Sequence, residues 1–440
     1  MPAAPSSDMD QLRAAFIKAA TWHGDLAGAE ALLAQHPQLA QSDIHIAAIL
    51  GDQASVRKFL SQDLNNATAR SGPYNANALT HLALSKYLRL GRRPSADFVQ
   101  AATALLDAGA DPNAGFWTTG KFPEHETPLY GAAGVAHHAD LTRLLLQRGA
   151  DPNDEEAVYH SPESDDYAAM QLLVETGRIT DHNLTMMLIR KHDWHDYEGA
   201  KYLLEYGASP NGERDRGWYP IHHALARDNS LALIRLLLDH GADPAVINEG
   251  LTAVARAAHH GRSDVLELFR QRGFPIDLHG VTRLIGACTM GDPAQAAKEP
   301  LLKEELLAMG GTLLARFTGV GILPAVKCLL DLGVGVNTPF AEGDGYFSIP
   351  PNSLAIHVAA WRIQPAIVQL LLEKGAYVDR ADVNGRTPLM LVVKAAVDSY
   401  WTGRRSPDPI AALLEAGAST AGVPFPSGYA EADALLERYR

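Results

Sequence analysis

Residues 219–244 read YPIHHALARDNSLALIRLLLDHGADP. Pro220 suits the first turn of a helix, where an absent N–H costs nothing. Ile221, Ala224 and Leu225 follow at helical spacing. Asp228-Asn229 make a turn, and Leu231 to Leu238 form a second helix with a leucine-rich face to bury. Gly241 stands where a helix ends in a left-handed residue, a conformation glycine adopts at little cost. Ala242-Asp243-Pro244 then leads into an extended loop. A similar Leu-Leu-x-x-x-Gly stop recurs at Gly109, Gly149, Gly177, Gly207, Gly241, Gly273, Gly333, Gly375 and Gly417. By subtraction the spacings are 40, 28, 30, 34, 32, 60, 42 and 42. They scatter around a period of roughly 33 residues, and the longer ones contain visible insertions.

Nine such stops in 440 residues describe an array. Each unit in such an array contacts its neighbours and the core is one-dimensional, so length does not translate into a count of globular domains. The residues are 47% hydrophobic and 20% charged, without an apolar run long enough to span a bilayer. The start, MPAAPSSDMDQL, lacks the basic and apolar stretches of a secretory signal. Cys288 and Cys328, each in an apolar helical pattern, read as reduced core thiols of a cytoplasmic protein. A net charge of -13 argues against phosphate-driven nucleic-acid binding.

In chain order, residues 1–9 read as a disordered leader, and 10–279 as N-terminal and central units. Residues 280–427 read as C-terminal units including one degenerate pair, and 428–440 as an amphipathic capping helix. Between residues 157 and 177, Ser161-Pro162-Glu163-Ser164 is expected to break any first helix. Long loops at 113–127 and 338–353, and an insertion at 397–409, interrupt the regular plan.

Thr127-Pro128-Leu129, Thr387-Pro388-Leu389, Ile221-His222, Ile356-His357 and the GADPN runs at 109–113 and 149–153 resemble the ankyrin repeat family. The resemblance covers nearly the whole chain and is weakest at 1–75, 154–180 and 280–310. From Val281 onward the chain is also similar to bacterial ankyrin proteins whose last unit carries an insertion. The resemblance implies an all-α ankyrin-repeat solenoid of about 12 helix-turn-helix units with β-hairpin-like loops, some units degenerate. It implies binding of other macromolecules without naming one, and gives His222 a role in hydrogen-bonding between loops.

Catalytic patterns are weak. His192-Asp193-Trp194-His195-Asp196 offers metal-binding side chains, but the run follows a helix end into a turn and lacks an identifiable third or fourth ligand. The glycine runs at 319–324 and 341–347 lack the spacing and the following Lys-Ser or Lys-Thr of a phosphate loop. No catalytic, cofactor or metal residue is assigned. The alternative, a metal- or small-molecule-dependent activity near 192–196 or in the irregular 280–310 region, stays open at this point.

In the architecture that the resemblance implies, the first helices line a concave face. Residues just before each turn would point toward a partner. Those positions hold Trp22, Arg190, Lys191, Trp194, Arg227, His259, His260, Trp361, Arg362 and Lys394, an aromatic and basic set in an acidic chain. Aromatic residues and arginine dominate interface energetics. Phe116, Trp117, Tyr346, Phe347 and Trp401 on the long loops join them, as do Arg214, Arg216 and Trp218 ahead of the opening stretch. The expectation is a protein partner with an acidic, partly apolar surface, with Trp361 and Arg362 as the sharpest pair. The bland alternative has the cations solvating a groove and the aromatic rings covering neighbouring helices.

Overall fold

The computed structural model describes residues 8–213 and 217–440. In the opening stretch, helices Pro220–Ala226 and Leu231–Asp239 flank a turn at Asp228. Ser230 caps the second helix by accepting the Leu233 N–H, and Leu233, Ile234, Leu236, Leu237 and Leu238 are buried. All nine glycine stops lie in the left-handed region, with φ from 64° to 103°.

The same hairpin recurs along the chain. Asp8–Ala20 pairs with Leu26–Gln35, Ile44–Ile49 with Gln53–Gln62, and Asp181–Asp193 with Tyr197–Glu205. In the later part Ala253–His259 pairs with Ser263–Gln271, Ala355–Trp361 with Pro365–Glu373, and Pro388–Val397 with Asp408–Glu415. Asp25, Asp52 and Asp196 cap second helices through side-chain oxygens that accept backbone N–H groups. A left-handed residue also stands at the turn inside many hairpins. Gly51, Gly91, Gly261, Gly291 and Gly321 fill this position, and so do Trp22, His137, His195, Asp228 and Ile363. Antiparallel two-residue strands join loops at Phe116–Trp117 with His125–Glu126 and at Ile247–Asn248 with Leu251–Thr252.

Several expectations change. Asp8 and Met9 belong to the first helix, so the expected leader 1–9 overlaps it; residues 1–7 lie outside the described residues. Ser161-Pro162 does not abolish the first helix of its unit, because Glu155–His160 completes itself under the Asp154 cap before the proline arrives. The segment Tyr130–Val135 winds as a π-helix. Gly131 lies so close to the preceding hairpin that a Cβ there would meet the Ala83 backbone at 2.7 Å.

The chain divides into two compact units, Met1–Pro220 and Ile221–Arg440. Side-chain ties explain why residues 221–271 belong with the C-terminal hairpins. Asp228 takes Arg362 from 134 positions away as well as the neighbouring Arg262. The second unit carries a continuous buried core from Leu284 to Leu436. Ala432 and Leu436 of the helix Ala430–Tyr439 are buried in that core.

A candidate protein-interaction surface

The histidine role implied by the family is present. His222 Nε2 donates to the Val246 carbonyl at 2.9 Å, and Arg256 Nε donates to its Nδ1 at 2.8 Å, which fixes the tautomer. His357 makes the equivalent bond to the Arg380 carbonyl at 2.6 Å.

The residues singled out in the second unit gather into one knot, and it is largely internal. Trp361 is 9% exposed and donates Nε1–H to the Phe347 carbonyl at 2.7 Å. Arg362 is 3% exposed, ion-paired with Asp228, and its guanidinium lies 4.3 Å from both the Phe347 and Trp401 ring centres. Trp401 is buried and carries Arg404 at 4.7 Å, while Arg227 covers the Tyr346 ring at 4.1 Å. The expectation that Trp361 and Arg362 face a partner is therefore corrected. The long loop folds back onto them, and a carboxylate distant in sequence neutralises the arginine.

His259 is buried, bonded to Thr282 Oγ1 at 3.0 Å, and pushed down to about 4 by burial and then by Arg316 and Arg256. His260 lines a small internal cavity with Arg316, Asp228 and Arg362, and burial holds it well below the usual imidazole range. Lys394 stays exposed and pairs with Asp398 at 3.0 Å. Tyr346, Phe347, Trp361, Tyr400 and Trp401 also frame an open pocket of about 400 Å³ with Asp398 at its mouth.

In the first unit Lys191 is buried, not presented to a partner. Its Nζ bonds Asp196 at 2.7 Å and the Ser164 carbonyl at 3.1 Å, and burial lowers its pKa. Arg190 is held by Asp193 at 2.5 Å and Glu163 at 2.6 Å, over the Tyr159 ring. Trp22 packs edge-on to Tyr74 and Phe116, and its Nε1–H reaches the Tyr130 hydroxyl at 3.3 Å. Phe116 is buried against Tyr74, so this part of the long loop covers its own unit. Trp218 stacks on His182 at 4.9 Å. Trp194, 41% exposed, and Trp117, 65% exposed, remain on the surface. Arg214 and Arg216 lie outside the described residues.

Trp117 borders a surface that sequence reading missed. The hairpin register pairs Phe116 with Glu126 and Trp117 with His125, so alternate side chains face opposite ways. Phe116 and Glu126 turn inward, while Trp117 stacks on His125 at 4.7 Å and 14° on the outer side. Between this hairpin and residues 151–156 opens a cleft of about 510 Å³, lined by Glu124, Asp151, Asp154, Glu155 and Glu156. Asp154 caps a helix and accepts from Thr127 Oγ1 at 2.6 Å. The signal was there in PEHET at 123–127 and NDEEA at 153–157. Joining the two requires knowing that consecutive loops stack side by side.

Among the described residues no group of three or more His, Cys, Asp or Glu side chains is placed to hold a metal. His192 is buried, with Nδ1 bonded to the Leu188 carbonyl at 2.6 Å. Cys288 and Cys328 are free and buried, and their mutual hydrogen bond, with burial, pushes the Cys288 thiol up, away from the reactive thiolate. No helix among the described residues is long and apolar enough to cross a membrane.

Models of ankyrin repeats match residues 185–280, as three copies, and residues 124–156, as a single repeat. Residues 124–156 and 185–280 are thus ankyrin repeats, in line with the resemblance read from the sequence. It is 40% identical over 73 residues to E3 ubiquitin-protein ligase XBAT34 of Arabidopsis thaliana, a stretch covering 16% of this chain and 19% of that protein. An ankyrin repeat domain from Acinetobacter baumannii AYE of known crystal structure is 21% identical, covers 53% of this chain and 98% of its own, and superposes with a TM-score of 0.30. Ankyrin repeats generally mediate protein–protein interaction.

Proposed function

We propose that this chain is a non-catalytic, cytoplasmic scaffold of about twelve repeat units that binds a partner protein and, by occupying it, inhibits or neutralises it. The observation that carries the reading is the set of large rings left uncovered on loops and turns: Trp117, Phe122, Trp194 and Tyr400. Exposed large aromatics that their own chain does not cover mark contact surfaces. The partner's surface is partly apolar. The case for an acidic partner weakens, because Arg190, Lys191, Arg362 and Lys394 already have carboxylates within the chain. Neither nucleic acid nor membrane is part of the proposal.

The test is affinity capture from the native host followed by cross-linking mass spectrometry, with wild type and Trp117→Ala, Trp194→Ala and Tyr400→Ala variants as bait. The reading expects one or more saturable partners cross-linked beside these rings and lost from at least one variant. Retention of every captured protein by all three folded variants overturns it.

A further inference from the structure

We propose that the cleft between the Phe116–Glu126 hairpin and residues 151–156 docks a basic segment of a partner protein, with a Lys or Arg side chain laid against Trp117. The inference rests on the scaffold reading and adds the chemistry of one contact. Three independent observations support it.

The first is charge. Glu124, Asp151, Glu155 and Glu156 border a cleft of about 510 Å³, room for a side chain and its flanking backbone. The second is an unpartnered buried polar group beside that acidic set. Glu126 is 1% exposed, its Oε2 has no hydrogen-bond partner, and it lies within electrostatic reach of Glu156, Glu124 and Asp154 as well as His160, between the cleft-lining His125 and Thr127. A buried carboxyl with an unsatisfied oxygen is costly, and positive charge entering the neighbouring cleft would ease the repulsion among these carboxyl groups. The third is the exposed indole of Trp117, whose inner face is backed by His125. Burial, then Arg70, keeps His125 below the usual imidazole range, so the stack is neutral and the open indole face suits a cation.

The other charges nearby have their own roles. His160 is engaged by Glu156 and Glu163, and Arg70 donates to the Gly115 and Asn75 carbonyls. The carboxylates are not grouped to hold a metal among the described residues.

The test uses the full chain and the fluorescein-labelled hexapeptide Gly-Lys-Arg-Lys-Arg-Gly in fluorescence anisotropy, with Gly-Glu-Asp-Glu-Asp-Gly and spermine as comparison ligands. Saturable binding of the basic peptide is expected, with none of the acidic one. Trp117→Ala is expected to weaken it about tenfold, and Glu124→Gln with Glu155→Gln by a similar factor at low salt. Both changes are at exposed positions, and matching circular dichroism melts verify folding. Failure of the wild type to bind, or equal binding by both variants, overturns the proposal. So does spermine binding as tightly as the peptide with the same sensitivity, since the site would then serve a free polyamine. If the partner of the scaffold test binds regardless of these substitutions, the cleft assignment falls while the scaffold reading stands.

Discussion

Glu126 shows what one misplaced charge does to a repeat. Its carboxyl is held up to about 8 by burial, then by Glu156 and Glu124. A group whose folded pKa is raised contributes stability in full below its unfolded value, here 4.5, and loses it as pH rises through 8. His160 acts in the same direction. Burial opposes its charge, but Glu156 and Glu163 outweigh that and hold it up to about 9, so its contribution fades above the unfolded value of 6.5. Wild-type melting temperature should therefore fall between pH 6.5 and 9, and less steeply in Glu126→Gln, which keeps the shape of the protonated form. Parallel pH profiles from scanning calorimetry would refute this. At Asp228, which neutralises two buried arginines, Asp228→Asn should cost about 3 kcal/mol in urea titration, and adding Arg362→Met should recover much of it. An unchanged midpoint for the single variant would contradict the tie. Sequence reading identified Trp361 and Arg362 as unusual but assigned them outward. Residue type and helical position were legible; the loop that covers them and the carboxylate 134 positions away were not.

At the scale of elements, the glycine stops were legible because one conformational demand has one cheap answer. Gly241 has φ 88° and open space where a Cβ would go, so Gly241→Ala isolates the backbone term. It should destabilise by roughly 1–2 kcal/mol, and a loss under 0.3 kcal/mol in chemical denaturation would show the turn relaxing instead. The inner turns were harder to read. Trp22, His137, His195, Asp228 and Ile363 take the same left-handed conformation without being glycine, and surrounding contacts must hold them there. Ile363 is buried and β-branched, the costliest type for that backbone. The π-helix at Tyr130–Val135 was equally hidden, and so was the close approach of its Gly131 to Ala83 in the preceding hairpin.

On the scale of the whole molecule, repeats share stability with their neighbours, so damage at an end should stay near that end. Leu436 is fully buried in the terminal helix. Leu436→Ala should cost about 2–4 kcal/mol locally, with faster hydrogen exchange confined to the last hairpins. Uniform loss of protection throughout Ile221–Arg440 would mean that this unit opens as one piece. The tie between Asp228 and Arg362 has a further consequence, for the order of assembly. Bonds between adjacent hairpins, such as Asp228 with Arg262, close over 34 positions, and most of the array can zip from any nucleus. The Arg362 bond closes over 134, adding roughly 1 kcal/mol of loop-closure entropy and raising the contact order of that unit. On the ribosome, Asp228 must wait for more than a hundred further residues before its second arginine is made. Stopped-flow refolding should show a slower phase that the Asp228→Asn, Arg362→Met pair removes, because its knot then no longer has to be tied last.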